Sequence, residues 1–275
     1  PITAANTRFQ PVHVEDVADA VVNCVGILNQ VGRNKFRAVQ GEGAARVARL
    51  AAEAGVSHLV HISAIGADAA SDSDYARSKA VGEDAVRQAF PSAVILRPSV
   101  IFGPEDQFFN RFAAMTRLGP VLPITAANTR FQPVHVEDVA AAAVKGVLGQ
   151  AAPGTYELGG PDVMTFRQLM QVMLGVIHRR RLLLGLPRFV AGLIAFAGDM
   201  VQALTGGLVE NKILTRDQLR NLSRDNVVSE GARGFADLGI KPAALEAVLP
   251  EYLWRFRPSG QFDAIKASAK NLRKV

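Results

Sequence analysis

Tyr75 and Lys79 are the two residues whose types and spacing most directly suggest chemistry. They lie in the segment DYARSK, and residues four apart occupy the same face of a helix, one turn from each other. A lysine ammonium at that distance lowers the pKa of a phenol, because the positive charge favours the phenolate. The pair is therefore a candidate acid/base unit, although the same spacing also fits an ordinary surface pair.

The rest of the sequence offers few other reactive side chains. Cys24 is the single cysteine, so neither a disulfide framework nor a cysteine metal site is possible, and we expect it to be buried and inert. His61 and His135 lie in apolar runs, where a histidine is usually a buried, hydrogen-bonded core residue. No residues show the spacing of a metal site, so no metal ion is expected.

Apolar strands and amphipathic helices must position this pair. Strands are predicted at residues 20–28, 58–63, 93–103, 130–136 and 155–160. Helices are predicted at residues 35–54 and 75–89, around 108–118, from about residue 137, and at residues 165–177 and 188–204. Strands that are apolar along their whole length are typical of a parallel sheet covered by helices on both faces. Helices predominate after residue 150, which indicates a smaller, mostly helical lobe across the carboxyl edge of the sheet.

Residues 1–18, PITAANTRFQPVHVEDVA, recur letter for letter at residues 123–140. The identity then ends at once, since Asp19 corresponds to Ala141. Structural repeats drift in sequence and recur several times. We therefore interpret the first copy as a recent duplication, or an error in the gene sequence, that replaces something lost.

Composition and charge exclude several classes of protein. Hydrophobic residues make up 49% of the 275 residues and charged residues 20%, which is typical of a globular protein. No apolar run is long enough to span a bilayer, and the first ten residues lack the basic and apolar regions of a signal peptide. The net charge of +6 comes without an aromatic-rich basic stripe, so nucleic-acid binding is not predicted.

The order of the segments resembles the extended and atypical short-chain dehydrogenase/reductase superfamily over about residues 20–250. The motifs that carry the resemblance are, in chain order, NCVG, HIS, YARSK, LRPSVIFGP, RFQPVHVEDVA and YELGG. The resemblance implies an α/β fold with a Rossmann-like, doubly wound parallel sheet. The first three strands of that fold are not found, so we expect an incomplete sheet, with a partial NAD(P)-binding domain at residues 1–150 and a small C-terminal lobe at residues 151–275.

The resemblance also implies cofactor-binding residues. They are Cys24, Val25, Gly26, Ser63, Tyr75, Lys79, Pro98, Ser99 and Val100. The first three would contact the adenosine side of NADP(H) or NAD(H), and the last three would line the nicotinamide side. Lys79 would bind the hydroxyls of the nicotinamide ribose.

Two departures from the superfamily bear on activity. Its members hold the diphosphate on a G-x-x-G-x-x-G turn that follows a strand, whereas GEGAAR at residues 41–46 falls inside a predicted helix. Working members also carry a Ser or Thr after the fifth strand, and that position is Ala64 here, with Ser63 one residue early. Loss of such a carbonyl-polarising donor costs about 2–4 kcal/mol of transition-state stabilisation. Ser63, Tyr75 and Lys79 would thus be catalytic only if the protein is active.

Four longer segments resemble a narrower family, the reductase-like accessory subunit of respiratory complex I and its alphaproteobacterial relatives. These segments are HISAIGAD, LRPSVIFGPEDQFFNRF, YELGGPDVMTFRQLM and LPEYLWRFRPSGQF. The resemblance implies a non-catalytic, NAD(P)-binding accessory or assembly subunit, partnered by complex I subunits at the cytoplasmic face of an alphaproteobacterial inner membrane. Two alternatives stay open: an NAD(P)-dependent reductase or epimerase that uses Tyr75 and Lys79, and a truncated fragment without function.

The sequence leaves two interpretations open for one apolar segment. Phe189–Gly198, FVAGLIAFAG, follows Arg179–Arg181 and Arg188. It is too short to span a membrane. We expect it either to pack inside the small lobe or to make a peripheral contact with a membrane surface or a partner.

Overall fold

The computed structural model describes residues 19–206, 208, 209, 211, 214–258 and 260, so the first copy of the repeat lies outside the described residues. The strands are β1 (Ala20–Asn23), β2 (His58–Ile62), β3 (Val94–Pro98), β4 (Ile101–Phe102), β5 (Val121–Ile124), β6 (Arg130–Phe131), β7 (Val134–His135), β8 (Gly154–Leu158), β9 (Met164–Thr165) and β10 (Leu182–Gly185). The helices are α1 (Gly43–Glu53), α2 (Asp74–Ala89), α3 (Phe109–Met115), α4 (Val136–Val147), α5 (Phe166–Val176), α6 (Arg188–Leu204), α7 (Arg216–Asn221) and α8 (Leu245–Leu253). A π-helical segment, Arg37–Glu42, runs directly into α1.

The main sheet is parallel, with the strand order β1-β2-β3-β8. Its four strands therefore end at the same edge, and open α/β sheets bind their ligands outside that edge. Each connection between successive strands passes through at least one helix, because parallel strands cannot be joined by a hairpin. Among the described residues β1 pairs with β2 alone.

Helices cover both faces of this sheet. On one face, Leu59 packs in a cluster with Ala48 of α1 and Val86 of α2. On the other face, Val60 packs in a cluster with Ala142 of α4. Because both faces are buried, the strands are apolar along most of their length, and the predicted doubly wound α/β fold is confirmed.

The residues after β8 build a second core together with α3. Met170 of α5, Leu249 of α8 and Phe109 of α3 are fully buried in it. The start of α5 is set by a capping box, in which the side chains of Thr165 and Gln168 each accept a hydrogen bond from the other residue's backbone amide. The segment around Phe109 is therefore packed against the helices that follow β8.

The structure differs from the predicted elements at three places. The strand predicted at 93–103 divides into β3 and β4. The reason is that the backbone amide of Val100 donates its hydrogen bond to the side chain of Asn226 and not to a neighbouring strand. The strand predicted at 130–136 divides into β6 and β7, because Pro133 has no amide hydrogen to donate to a ladder. β8 lies beyond the predicted boundary at residue 150, yet it is the fourth strand of the main sheet. The division into two lobes stays a prediction.

Candidate functional site

Helix α2 carries Tyr75 and Lys79 along the carboxyl edge of the sheet. It begins after Ser73, whose hydroxyl accepts a hydrogen bond from a backbone amide of the first turn, which is a favourable N-cap. The carboxylate of Asp217, from α7, accepts two further bonds, from the backbone amides of Asp74 and Tyr75 at 2.7 and 3.1 Å. A negative charge at a helix N-terminus is stabilised by the helix dipole. The C-terminal part of the chain thus anchors the start of this helix.

Lys79 is buried below the edge of the sheet. Its Nζ donates a hydrogen bond to the Ile62 carbonyl at 3.2 Å, and a Cβ added at Gly26 would lie 3.3 Å from the same Nζ. Burial lowers the pKa of Lys79 to about 8, although the charge of Glu83 acts in the opposite direction. The amine is therefore mostly protonated at neutral pH and lies under the loop that follows β1.

Tyr75 does not show the lowered phenol pKa that its spacing from Lys79 predicts. Its ring meets the Phe36 ring edge to face, with 5.7 Å between the ring centroids. Burial raises the pKa of Tyr75 to about 12. The predicted lowering is wrong because desolvation of the phenolate dominates, while Lys79 directs its amine to the Ile62 carbonyl.

Ser63 follows β2, and its hydroxyl donates a hydrogen bond to Oε1 of Glu83 at 2.6 Å. Glu83 is fully buried on α2, where Arg97 of β3 donates to both carboxylate oxygens at 2.8 and 2.7 Å. Burial would raise the pKa of Glu83, but the hydrogen bonds from Arg97 and Ser63 outweigh it and lower that pKa. Ser63 is therefore held inside an ion-pair network, and the next residue, Ala64, carries only a methyl group.

The network extends to two more charged residues. Arg87 donates to Oε2 of Glu83 at 2.7 Å, and Arg97 donates to Glu157 of β8 at 3.3 Å. The four charges tie α2 to β3 and β8. Sequence reasoning missed this network, although Glu83 lies four residues after Lys79 and so on the same helix face, which is a signal that could have been used.

Asn23 and His61 are neighbours on β1 and β2, with 3.1 Å between Asn23 Nδ2 and His61 Nδ1. The predicted burial of His61 is therefore confirmed, and its Nδ1 is hydrogen-bonded, whereas its buried Nε2 has no partner among the described residues. His135 is also buried. The side-chain oxygen of Asn23 accepts a further bond from the Val25 amide at 3.1 Å, which shapes the loop after β1. Burial lowers the pKa of His61 to about 4, and the charge of Lys79 acts in the same direction.

We expect mild acid to destabilise the protein through His61. Its pKa is about 4 in the folded protein against an ordinary value of 6.5, so the unfolded chain binds the proton more readily and stability falls as the pH drops from 6.5 towards 4. At about 1.4 kcal/mol per pH unit, the difference amounts to about 3 kcal/mol at most. Urea unfolding at about pH 7.5 and about pH 5 should show a smaller loss for His61→Gln than for the wild type. Equal losses in the two proteins would contradict this origin.

Residues 24–26 form an open rim at the end of β1. All three are exposed, Val25 by 55%. The expectation that Cys24 is buried is wrong, because β1 ends at Asn23 and the following residues leave the sheet. Gly26 lies directly above the amine of Lys79, so the predicted adenosine-side residues and Lys79 are brought together.

The residues after β3 contact Asn226. Ser99 Oγ donates to Oδ1 of Asn226 at 2.6 Å, and the backbone amide of Val100 donates to the same oxygen at 3.2 Å. Nδ2 of Asn226 donates to the Ile65 carbonyl, in the loop after β2, at 3.4 Å. Pro98, at the end of β3, precedes this contact. Sequence reasoning missed Asn226, and no local pattern marks a residue that arrives from more than a hundred positions away.

The segment GEGAAR, residues 41–46, is helical as predicted. The π-helical segment ends at Glu42 and α1 begins at Gly43. A Cβ added at Gly41 would lie 3.6 Å from Cγ1 of Val81 on α2. That distance is an ordinary van der Waals contact, so the segment is packed against α2, whereas a phosphate turn needs amides that point into an open loop.

A cavity of about 550 Å³ lies between the loop after β1 and the helices α6 and α7. Asn29, Lys35, Asp74, Gln202 and Arg220 are among the residues that line it. It opens beside the start of α2, and the predicted cofactor residues are not part of its lining.

Helix α6 contains the apolar segment Phe189–Gly198 and buries one side of it. Ala191 and Ala195 are buried, whereas Phe189 and Leu193 are 72% and 65% exposed. Within the described part of the chain, no helix has the length and apolar character needed to cross a bilayer. The same residues include no group of three or more His, Cys, Asp or Glu side chains that could hold a metal ion.

The chain is similar to known families and proteins. A family model described as RmlD substrate binding domain matches residues 19–182. A mitochondrial protein of Arabidopsis thaliana, NADH dehydrogenase (ubiquinone) 1 alpha subcomplex subunit 9, is 34% identical over 248 residues, which cover 88% of this chain and 62% of that protein. A ceramide reductase of Caulobacter vibrioides is 34% identical over 172 residues, which cover 62% of this chain and 54% of the reductase. The chain thus spans less than two thirds of either relative.

Solved structures share the fold. The Bordetella bronchiseptica enzyme WbmH in complex with NAD+ matches with a TM-score of 0.61 and 18% identity, covering 89% of this chain and 77% of that chain. At this identity the likeness establishes a common Rossmann-like fold, in agreement with the parallel sheet described above.

Proposed function

The chain belongs to the RmlD substrate-binding-domain family, and on that premise we propose that it is a non-catalytic, nucleotide-binding accessory or assembly subunit of respiratory complex I. One observation carries the proposal: the chain is 34% identical over 248 residues to a subunit of the plant mitochondrial NADH dehydrogenase. The matched region covers 88% of the chain.

Three features of the site support a role without turnover. Ala64 places a methyl group where a carbonyl-polarising hydroxyl is needed. The neighbouring Ser63 donates its hydroxyl hydrogen to Glu83. Tyr75, with a pKa of about 12, keeps its proton at neutral pH and is a poor acid/base catalyst, since catalysis is best when the pKa lies near the working pH.

The proposed nucleotide is NADP(H) or NAD(H), and the described residues fit one side of it better than the other. Residues 24–26 offer an open, exposed rim for the adenosine side. The Lys79 amine lies beneath this rim, where it would donate to the hydroxyls of the nicotinamide ribose. On the nicotinamide side, Ser99 and Val100 are already bonded to Asn226. Such a cofactor supplies hydride in enzymes, but here it would act by binding the folded chain, which at a thousandfold excess over Kd stabilises it by about 4 kcal/mol.

We place the protein at the cytoplasmic face of an alphaproteobacterial inner membrane as a peripheral component, with α6 as its contact. Phe189, Leu193 and Phe196 expose 72%, 65% and 46% of their surfaces. Arg188 begins the same helix. A helix with an exposed apolar side next to basic residues is suited to a membrane surface or to an apolar partner beside it.

Native electrophoresis of membranes from an alphaproteobacterial host that expresses the tagged chain tests this proposal. We expect the chain to migrate with NADH:quinone oxidoreductase, and the double variant Phe189→Glu/Leu193→Glu to move to the soluble fraction. Val144→Glu/Leu148→Glu is the matched control, because these residues of α4 and its end are also exposed, by 53% and 60%. Recovery of the wild type solely as a free soluble species would overturn the assignment to complex I.

The second candidate is an NAD(P)-dependent reductase, favoured by the 34% identity to the ceramide reductase. In this case Tyr75 would transfer the proton to the reduced carbonyl, with the charge of Lys79 assisting. Tyr75→Phe keeps the shape of the ring and removes the hydroxyl. A carbonyl-dependent oxidation of NAD(P)H by the wild type that disappears in Tyr75→Phe would favour this candidate over the first.

A further inference from the structure

We propose that the chain contains a subsite for a primary carboxamide, formed by the Ile65 carbonyl, the Ser99 hydroxyl and the Val100 amide, and that its own Asn226 fills this subsite. A nicotinamide nucleotide bound at the carboxyl edge of the sheet would therefore find this subsite occupied, and its carboxamide could not bind there. This consequence rests on the proposed nucleotide binding, whereas the subsite does not.

The three groups match a primary amide in one orientation. Two donors, Ser99 Oγ and the Val100 amide, converge on the amide oxygen at 2.6 and 3.2 Å. One acceptor, the Ile65 carbonyl, receives the amide nitrogen at 3.4 Å. An amide oxygen accepts through two lone pairs and its nitrogen donates. A carboxylate in the same place would set an oxygen against the Ile65 carbonyl and would be rejected.

The subsite is buried, so its groups need partners. Ser99 and Ile65 are 5% and 7% exposed. Buried polar groups without hydrogen-bond partners are costly. The Asn226 side chain satisfies the Val100 amide through its oxygen and the Ile65 carbonyl through its nitrogen. The Ser99 hydroxyl lies 2.6 Å from the same side-chain oxygen and 3.0 Å from the backbone carbonyl of Asn226, so it keeps an acceptor when the side chain is removed. Removing that side chain leaves a space with defined donors and an acceptor, which is what a small amide ligand requires.

The backbone of Asn226 is held independently of its side chain. Its amide donates to the Arg130 carbonyl at 2.8 Å, and its carbonyl accepts from the Gln132 amide at 3.1 Å. The preceding residue, Asp225, pairs with the Arg130 side chain at 2.8 Å. Because these contacts position the residue in advance, the tethered amide has a high effective concentration at the subsite and outcompetes a free ligand.

The position of the subsite points to its natural ligand chemistry. Ile65 follows β2 and Ser99 follows β3, so the subsite lies at the edge where open α/β sheets bind nucleotides. Nicotinamide carries a primary carboxamide. The same three groups that bind Asn226 would bind that carboxamide if Asn226 were absent.

Thermal unfolding with nicotinamide as the probe tests the subsite. We expect Asn226→Ala to gain about 3 °C in Tm at a nicotinamide concentration tenfold above Kd, and the wild type to gain nothing. Nicotinic acid, which replaces the amide with a carboxylate, should leave both proteins unchanged. Adding Ser99→Ala to Asn226→Ala should abolish the gain.

Equal Tm shifts in the wild type and in Asn226→Ala, or no Tm shift in Asn226→Ala, would overturn the proposal. If Asn226→Ala does not fold, Asn226→Ser undergoes the same titration.

A second measurement uses the wild type and separates the inference from the proposed function. NADP+ and the same molecule without nicotinamide, 2′-phospho-ADP-ribose, should bind with affinities within about twofold of each other. If NADP+ binds more than about tenfold tighter than 2′-phospho-ADP-ribose, the carboxamide is bound in the subsite, and the inference is overturned. Failure of both to bind would overturn the proposed nucleotide binding, while the nicotinamide titration would still decide the subsite.

Discussion

Arg97→Met should lower the free energy of unfolding by about 3–5 kcal/mol, because removing one partner of a buried ion pair leaves the other charge uncompensated. Glu83 is fully buried, and Arg97 donates to both of its oxygens at 2.8 and 2.7 Å. Arg87 and Ser63 still bond the carboxylate, so we expect the lower end of this range. Urea unfolding of the purified proteins gives the difference directly.

The matched control is Arg37→Gln. Arg37 pairs with Glu42 at 3.1 Å, but the two side chains are 88% and 60% exposed, and such pairs contribute about 0–1 kcal/mol. A loss for Arg97→Met no larger than that of the control would contradict a stabilising network.

The Glu83 network also predicts a pH dependence. The pKa of Glu83 is lowered in the folded protein from an ordinary value of 4.5. The stabilisation is therefore present above pH 4.5 and is lost as the pH falls through the lower, folded pKa. In Arg97→Met the acid-dependent loss should become smaller, since the main interaction that lowers this pKa is gone.

Gly82→Ala is the second substitution with a large expected effect. Inside a helix, Gly to Ala ordinarily stabilises by about 0.5–1 kcal/mol. A Cβ at Gly82 would overlap the carbonyl oxygen of Gln40, a backbone atom that cannot rotate away. Forcing the two helical segments apart should instead destabilise the protein by about 1–3 kcal/mol or more. The shift would also displace Lys79 and Glu83, which lie on the same helix.

Gly192→Ala in α6 is the control for this prediction. No atom lies within 4 Å of a Cβ added at Gly192, so the ordinary gain of about 0.5–1 kcal/mol should appear. Scanning calorimetry of the two variants should give Tm changes of opposite sign. Changes of the same sign would show that the helices do not cross in backbone contact at Gly82.

These substitutions probe different parts of one arrangement. Asp217 anchors the start of α2, Glu83 and Arg97 hold its middle against the sheet, and Gly82 permits its contact with the π-helical segment. The helix that carries Tyr75 and Lys79 is therefore positioned by contacts that do not themselves involve a ligand. Under the proposed function, such a helix would serve stability and nucleotide binding without turnover.

Local patterns were sufficient for much of the fold. The alternation of apolar runs with helical periodicity predicted the parallel sheet covered on both faces, and Tyr75 and Lys79 were placed correctly on one helix. The helical state of residues 41–46 and the burial of His61 also followed from nearby residues. Each of these properties depends on the period of the side chains and on backbone hydrogen bonds between residues a few positions apart. Both can be inferred from a short stretch of sequence.

Only the tertiary structure decided which groups the polar side chains hydrogen-bond to. Ser63 bonds Glu83 across 20 positions, Ser99 bonds Asn226 across 127, and the Asp74 amide bonds Asp217 across 143. No periodicity encodes such pairs, because they depend on which loops and helices the packed core brings to the same edge. Burial, which raises the pKa of Tyr75 and lowers that of Lys79, is likewise a property of the packed whole, and it reversed the pKa direction that spacing had predicted for the tyrosine.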